Sequence, residues 1–421
     1  MSRKDIICGI DVGSSSIRTV IAQAIPDEGN PRIIGVGTTP SLGVRKGIIS
    51  DLEEAAKSIN DSVEAAERAA GINVEKAVIS IGGNHISSQH SKGVIAVGKA
   101  DGEVTEDDIS RVISAAQAIS IPANKEIIHI IPREYSLDDQ KNIKDPLGMN
   151  GVRLEVDAMI IEGSTPYIKN LIKCVEQAGI SADSLVLSSI AATLSALSKR
   201  QKELGVVLVD IGGGTTSMAV FEENNLLHTA VIPIGGNHIT NDIAIGLRTS
   251  IDAAERVKLE YGNALPREIG KKEEINLSEI DSGEEGIVSR YHVAEIIEAR
   301  LEEIFMMVDK ELKLIGKDKL LPAGAVLAGG TAKLPGAVDL AKEILGLPAQ
   351  TGFPIVLGGL IDKVDDPAFA TSVGLVLWGV ENLQYSGKSG GLLKNKIVGN
   401  MAENVSGTVG KAKKWLEKFL P

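Results

Sequence analysis

Two short stretches carry residue types suited to holding phosphate: Asp11-Val-Gly13-Ser14-Ser15-Ser16 and Asp210-Ile-Gly212-Gly213-Gly214-Thr215-Thr216. Each follows an apolar run (Ile6 to Ile10; Val206 to Val209) and precedes another (Ile17 to Ala22; Ser217 to Phe221). That pattern predicts strand, tight loop, strand. Small side chains let the backbone approach a ligand, so several N–H groups can converge on phosphate oxygens. Two aspartates beside a polyphosphate would repel it unless a divalent cation and its waters lay between them. The residue types therefore imply a metal–nucleotide complex, with Mg2+ held through water by Asp11 and Asp210. One such loop alone is an ordinary hairpin turn. Two in the same setting, 199 positions apart, shift the reading to phosphate binding by two similar halves that face each other.

Further candidates are weaker in isolation. Gly329, Gly330 and Thr331 follow the apolar run Ala325 to Leu327 and offer a third close-approach backbone, with a strand-to-helix turn as the equal alternative. Glu255 and Lys258 lie one turn apart on a predicted helix from about 250 to 260. They could hold a ribose and the edge of a base; taken alone, a routine surface ion pair is the better reading. Ile81-Gly-Gly-Asn-His-Ile86 is echoed at Ile234-Gly-Gly-Asn-His-Ile239. The distance from the preceding aspartate loop differs greatly between the two, so the echo reads mostly as coincidence.

The elements that must position these residues follow from periodicity. Residues 51 to 70 predict a helix stopped at Gly71, and 77 to 81 a strand. Residues 84 to 162 alternate short strands with a helix near 105 to 119 and carry neither phosphate motif, so they read as an inserted subdomain (1C). Helices are expected at 166 to 178 and near 188 to 199. The remaining divisions are 5–83 with 163–200 as the first half (1A), 201–240 with 323–383 as the second (2A), and the charged, helical 241–322 as an outer subdomain (2B). Residues 384–408, rich in Gly, Ser, Asn and Lys, read as a flexible linker before a terminal helix at 409–421.

Composition excludes several classes. Lys plus Arg total 44 against 56 Asp plus Glu, a net charge of −12, which argues against general affinity for nucleic acid. Cys8 and Cys174 sit in apolar runs without CxxC spacing, which suits a reducing cytoplasm. The six histidines show no metal-ligand spacing. No apolar run reaches the roughly 20 residues needed to span a bilayer.

The order of these motifs, closing with Ala368-Phe-Ala-Thr-Ser-Val-Gly374, resembles the actin/DnaK/sugar-kinase superfamily. Gly148-Met-Asn-Gly-Val-Arg-Leu-Glu-Val-Asp157, Ile81 to Ser87, Gly235 to Thr240 and the terminal segment narrow the resemblance to FtsA, the family of bacterial actin-like cell-division proteins, over essentially the whole chain. The resemblance implies an α/β fold: an actin-like two-domain ATPase fold with duplicated βββαβα halves, the FtsA-type insert and a C-terminal amphipathic helix. It implies ATP and Mg2+, with Arg18, Gly235, Gly236, Glu255, Lys258, Gly329, Gly330 and Thr331 joining the two loops around the nucleotide. It further implies polymerisation into protofilaments at the cytoplasmic face of the membrane. The tubulin-like partner FtsZ would dock its tail on the outer subdomain, near the helix from Tyr291 to Val308, with Arg300 as a contact.

Some positions depart from the superfamily pattern. Ser188 stands where other members place a Glu or Gln that orients water, and a serine without a partner is no general base, so hydrolysis is expected to be slow or absent. Arg18 stands where actins have a lysine; it keeps the charge and changes the geometry. Leu259 follows Lys258 where chaperones present an arginine to the base. A small-molecule kinase is the alternative; a DnaK-like chaperone would need a long domain after about 385.

At 100° per residue, Ala412, Trp415, Leu416, Phe419 and Leu420 share one face of the terminal helix, with Lys411, Lys414 and Lys418 on others. Residues 411 to 420 carry four lysines against Glu417. This composition suits reversible binding to anionic lipid. Docking of the helix on its own domain is the alternative.

Overall fold

The buried run Ile7-Cys-Gly-Ile10 lies at the centre of the first half, inside strand β1 (Ile6–Val12). We describe the fold from a computed structural model covering residues 6–25, 31–118, 121–355 and 358–388, with 382–388 as backbone only. β1 turns antiparallel into β2 (Ser16–Gln23), which pairs with β3 (Arg32–Pro40). Helix α1 (Leu52–Ala70) starts where Asp51 accepts from the N–H groups of Glu53 and Glu54, and stops at Gly71 in the left-handed region. It packs so closely that a Cβ on Gly37 would lie 1.9 Å from Ser62 O. β4 (Lys76–Ile81) then adds parallel to β1.

The insert is a second sheet with its own core. Strands β5 (Ser87–Ala96), β6 (Lys125–Leu137), β7 (Gln140–Ile143) and β8 (Arg153–Ser164) are ordered β5-β8-β6-β7. Helix α2 (Glu106–Gln117), opened by a Thr105/Asp108 capping box, buries Ile109, Val112 and Ile113 against it. The chain returns through α3 (Thr165–Gln177) and β9 (Ser181–Leu187), which joins β4, and enters α4 (Ser188–Ala196).

The second half repeats the first. β10 (Val206–Ile211), β11 (Thr216–Glu222) and β12 (Asn225–Ile232) form an antiparallel meander. Outside it, α5 (Gly236–Leu247), α6 (Ile251–Tyr261) and α7 (Arg290–Leu314) build the outer subdomain with a two-stranded ribbon, Glu274–Asn276 and Ile287–Ser289. β13 (Ala325–Ala328) adds parallel to β10, α8 (Ala337–Leu345) follows, and β14 (Ala349–Thr351) closes the sheet in the order β12-β11-β10-β13-β14. The last helix, α9 (Ala370–Lys388), crosses back onto α4 and β1 of the first half.

Four details differ from the sequence reading. The phosphate loops are shorter than drawn, residues 13–15 and 212–215, because Asp11, Ser16, Asp210 and Thr216 already belong to strands. The helix expected over 188–199 ends at Ala196, and Ser198 caps a separate short one, Lys199–Leu204. Helix α5 begins at Gly236 and so runs across the boundary drawn at residue 240. Residues 384–388, assigned to the linker, are the end of α9. The rest of the linker and the amphipathic segment lie outside the described residues.

Candidate nucleotide site

The two hairpins meet across a cleft with a volume of about 560 Å³, and their glycines are what let them meet. A Cβ on Gly213 would lie 1.8 Å from Ser15 Oγ, and one on Gly214 2.7 Å from Ser14 Oγ. Only bare backbone fits there. Ser15 Oγ donates to Asn237 Oδ1 of the opposite half at 2.8 Å, and Gly47 N donates to Ser14 Oγ at 2.9 Å. A third wall arrives at Gly329, whose φ of +82° suits glycine and whose Cβ would lie 2.5 Å from Asp210 Oδ1. Asp11, Gly13 to Ser16, Arg18, Asp210, Gly212 to Thr215, Gly236, Glu255, Lys258 and Gly329 to Thr331 all line this one cleft.

The two aspartates are electrostatically unequal. Burial raises the pKa of Asp11, while Arg18 and a hydrogen bond from Ser80 pull it back. Burial together with the charge of Asp11 pushes Asp210 up to about 7, against the opposing effects of the Thr371 hydroxyl and Arg18. Two carboxylates that resist sharing a dry cleft are a fit for a divalent cation between them. Among the described residues no group of three or more His, Cys, Asp or Glu could ligate a metal directly. Such a cation would therefore be held by these two and water.

Two predicted contacts turn away. Thr216 is fully buried and donates to Ile234 O at 2.8 Å, because strand alternation points it under the sheet. Gly235 does not line the cleft: its N–H goes to His238 Nδ1 at 3.1 Å. The N–H groups of Gly236 and Asn237 donate to Gly212 O and Gly213 O at 2.9 and 2.8 Å. The start of α5 thus braces the second loop and does not present free donors.

Glu255 and Lys258 are no surface pair. Lys258 is 7% exposed and donates to Glu255 Oε2 (2.6 Å), Thr240 Oγ1 (2.8 Å) and Gly236 O (3.3 Å). An ammonium has three donors, and all three have acceptors. Leu259, next along, is exposed and lines the cleft. Ser188 also lines it, opposite Gly82. The Gly-Gly-Asn-His echo proves structurally unlike, since Gly82 follows the end of a strand and Gly235 caps the start of a helix, yet each copy contributes a glycine to the lining. Arg300 lies elsewhere: it forks onto Asp242 at 2.6 and 3.0 Å and reaches Glu303, tying α7 to α5.

Sequence reasoning missed Ser80, Gly47, Asn237, Phe369 and Thr371, all in the lining. The Val12 N–H donates to Ser80 Oγ at 2.8 Å, and Thr371 Oγ1 donates to Asp210 Oδ2 at 3.1 Å. Asn237 was visible within the Gly-Gly-Asn-His repeat, and Phe369 and Thr371 within the 368–374 motif.

Residues 207–374 match the family model "Cell division protein FtsA", and residues 83–162 match "SHS2 domain inserted in FTSA". The cell division protein FtsA of Pseudomonas aeruginosa is 40% identical over 376 residues, 89% of each chain. The chain belongs to the FtsA family. The SHS2 match coincides with the sheet β5-β8-β6-β7 and α2. Among solved structures, a PilM-PilN type IV pilus biogenesis complex aligns over 89% of this chain and 98% of that one, with a TM-score of 0.66 at 18% identity. MreB5 of Spiroplasma citri bound to ADP aligns over 91% of this chain and 99% of that one, with a TM-score of 0.53 at 13% identity. These likenesses show the fold alone, and the fold of this FtsA-family chain is actin-like. Among the described residues, no helix is long and apolar enough to cross a membrane.

Proposed function

We propose that this FtsA-family chain is an ATP-dependent, self-associating anchor that attaches a division ring of FtsZ to the cytoplasmic face of the membrane. The observation that carries the reading is the convergence of two Asp–Gly hairpins on one cleft, so close that Ser15 touches the Gly213 backbone. Loops 13–15 and 212–215 would hold the phosphates of ATP, with Arg18 beside them and Glu255 toward the sugar. Asp11 and Asp210 would hold Mg2+ through water, and the ion would offset charge on the phosphates. The MreB5 of Spiroplasma citri that shares this fold is bound to ADP, which is consistent with such a ligand.

Turnover is not what the lining favours. Ser188, which lines the cleft, stands at the position where other superfamily members place a water-orienting Glu or Gln. The bound nucleotide then sets the cleft's conformation for assembly into protofilaments. FtsZ docks its tail on α7 and its surroundings, where any contact with Arg300 must compete with Asp242 and Glu303. Residues 411–420 supply the lipid contact.

Calorimetry on Asp210→Ala tests the central element: Mg-ATP binding should be lost, and wild-type affinity would refute the assignment.

A further inference from the structure

Phe369 and Thr371 stand two residues apart, and each addresses a charged group on a different half. Thr371, 4% exposed in the first turn of α9, donates its hydroxyl to Asp210 Oδ2 at 3.1 Å, 161 positions away. A hydroxyl there could serve the local backbone, as the neighbouring Ser372 does by donating to Phe369 O at 3.1 Å. Thr371 instead spends its one hydrogen on the carboxylate of the second half. The other oxygen, Oδ1, is confined by the bare backbone of Gly329. The guanidinium of Arg18, on the first half, lies 5.5 Å from the centroid of the Phe369 ring, within the range of a cation–π contact.

The turn bearing both residues is bolted down at each end. Gly329 N donates to Pro367 O at 3.0 Å, and Lys333 Nζ pairs with Asp366 Oδ2 at 2.5 Å, which fixes its start to the second half. Asp366 Oδ1 also accepts from Ala368 N at 2.9 Å and closes the turn on itself. Beyond Thr371 the chain is fixed to the first half: a Cβ on Gly9 would lie 2.8 Å from Ser372 O, and one on Gly374 1.8 Å from Ala191 O.

We infer that the turn at 366–371 is the positioning element of the phosphate grip: Thr371 sets the Asp210 carboxylate and Phe369 sets the Arg18 guanidinium. The inference rests on the cleft being a Mg-nucleotide site. Neither residue needs to touch the nucleotide. A carboxylate holding a metal-bound water must keep its lone pairs aimed, and one fixed hydroxyl donor does that. A guanidinium laid on a ring loses the freedom to swing from the phosphates. Because both residues sit on one short rigid turn, a shift of either half relative to the turn disturbs both groups together.

The test is ATP titration of the full chain by calorimetry, once with Mg2+ and once in EDTA. Thr371→Val keeps the shape and removes the donor. It should bind ATP about tenfold more weakly with Mg2+ and within about twofold of wild type in EDTA, and Thr371→Ser should restore the Mg2+-dependent part. Phe369→Leu should weaken binding in both media, since Arg18 addresses phosphate directly. Wild-type affinity of Thr371→Val in Mg2+ overturns the inference for Asp210. So does an equal loss in both media that serine does not rescue, because that is a packing effect. Should Thr371→Val fail to fold, Phe369→Leu carries the test alone, and its wild-type affinity overturns the Arg18 half. If Asp210→Ala itself binds Mg-ATP normally, the reading of the cleft has failed and not the role of the turn.

Discussion

Asp11 stands directly opposite Arg18 in the β1–β2 register, whereas the residue opposite Asp210 in β10–β11 is Ser217. The pair that contains the aspartate thus differs in charge between the two hairpins, and that difference sets their electrostatics. Cross-strand neighbours face the same side of the sheet, so Arg18 compensates Asp11 at close range. Asp210 has only a hydroxyl from Thr371 and the more distant Arg18. A cation entering the cleft gains most from the uncompensated carboxylate, which makes Asp210 the more sensitive of the two.

A pH dependence follows with a definite sign. The Asp210 carboxyl titrates near 4 in an unfolded chain and at about 7 in the fold. The native state therefore binds its proton more tightly, and this group's contribution to stability is full below about pH 4 and is lost as pH rises to about 7. In EDTA and without nucleotide, Asp210→Asn should gain in melting temperature relative to wild type as pH is raised from about 5 to about 8. Added Mg-ATP should narrow the gap by stabilising only the wild type. A difference that stays constant with pH would show that the carboxylate is not strained.

How much of this was legible is clearest at particular residues. The two hairpins announce themselves because their signal is local: β-branched strands, then Gly and Ser where the backbone must turn. Thr216 could have been excluded from the ligand set by strand alternation alone, since only every second side chain reaches one face. Lys258 could not have been placed. A Glu and a Lys one turn apart look the same on a surface and in a cleft, and its burial depends on Thr240 and Gly236 arriving from another helix. Thr371 was within a quoted motif, yet its hydroxyl gains meaning only through a partner 161 positions back. Pairing across the cleft is set by the packing of two halves, which no short window contains.

The packing of the halves onto α9 gives a second prediction. At Gly374, α4 and α9 cross so closely that a Cβ would lie 1.8 Å from Ala191 O. Glycine within a helix costs up to about 1 kcal/mol relative to alanine, so Gly374→Ala should stabilise if propensity decided. A clash with backbone cannot be relieved by a rotamer, and overpacking of this kind costs about 1–3 kcal/mol. Packing should win, with valine worse than alanine. Urea denaturation at constant m-value measures it, and a raised midpoint for Gly374→Ala would contradict the observed crossing.

The lipid contact can be tested apart from the nucleotide. Four large apolar side chains of residues 411–420 could contribute roughly 1.5–3 kcal/mol each at full burial, less in an interface. Their lysines add up to about 1 kcal/mol each near anionic lipid. Both are offset by ordering the helix. A single copy should therefore bind weakly and reversibly, while many copies along a filament bind firmly. Deleting residues 409–421 should abolish co-sedimentation with anionic vesicles and leave ATP affinity unchanged, because every residue of the cleft lies before 372. Neutral vesicles or high salt should weaken the full chain's binding in the same assay. Vesicle binding that survives the deletion would locate the lipid contact elsewhere on the molecule. Loss of ATP binding with the tail would instead point to the segment docking on its own domain.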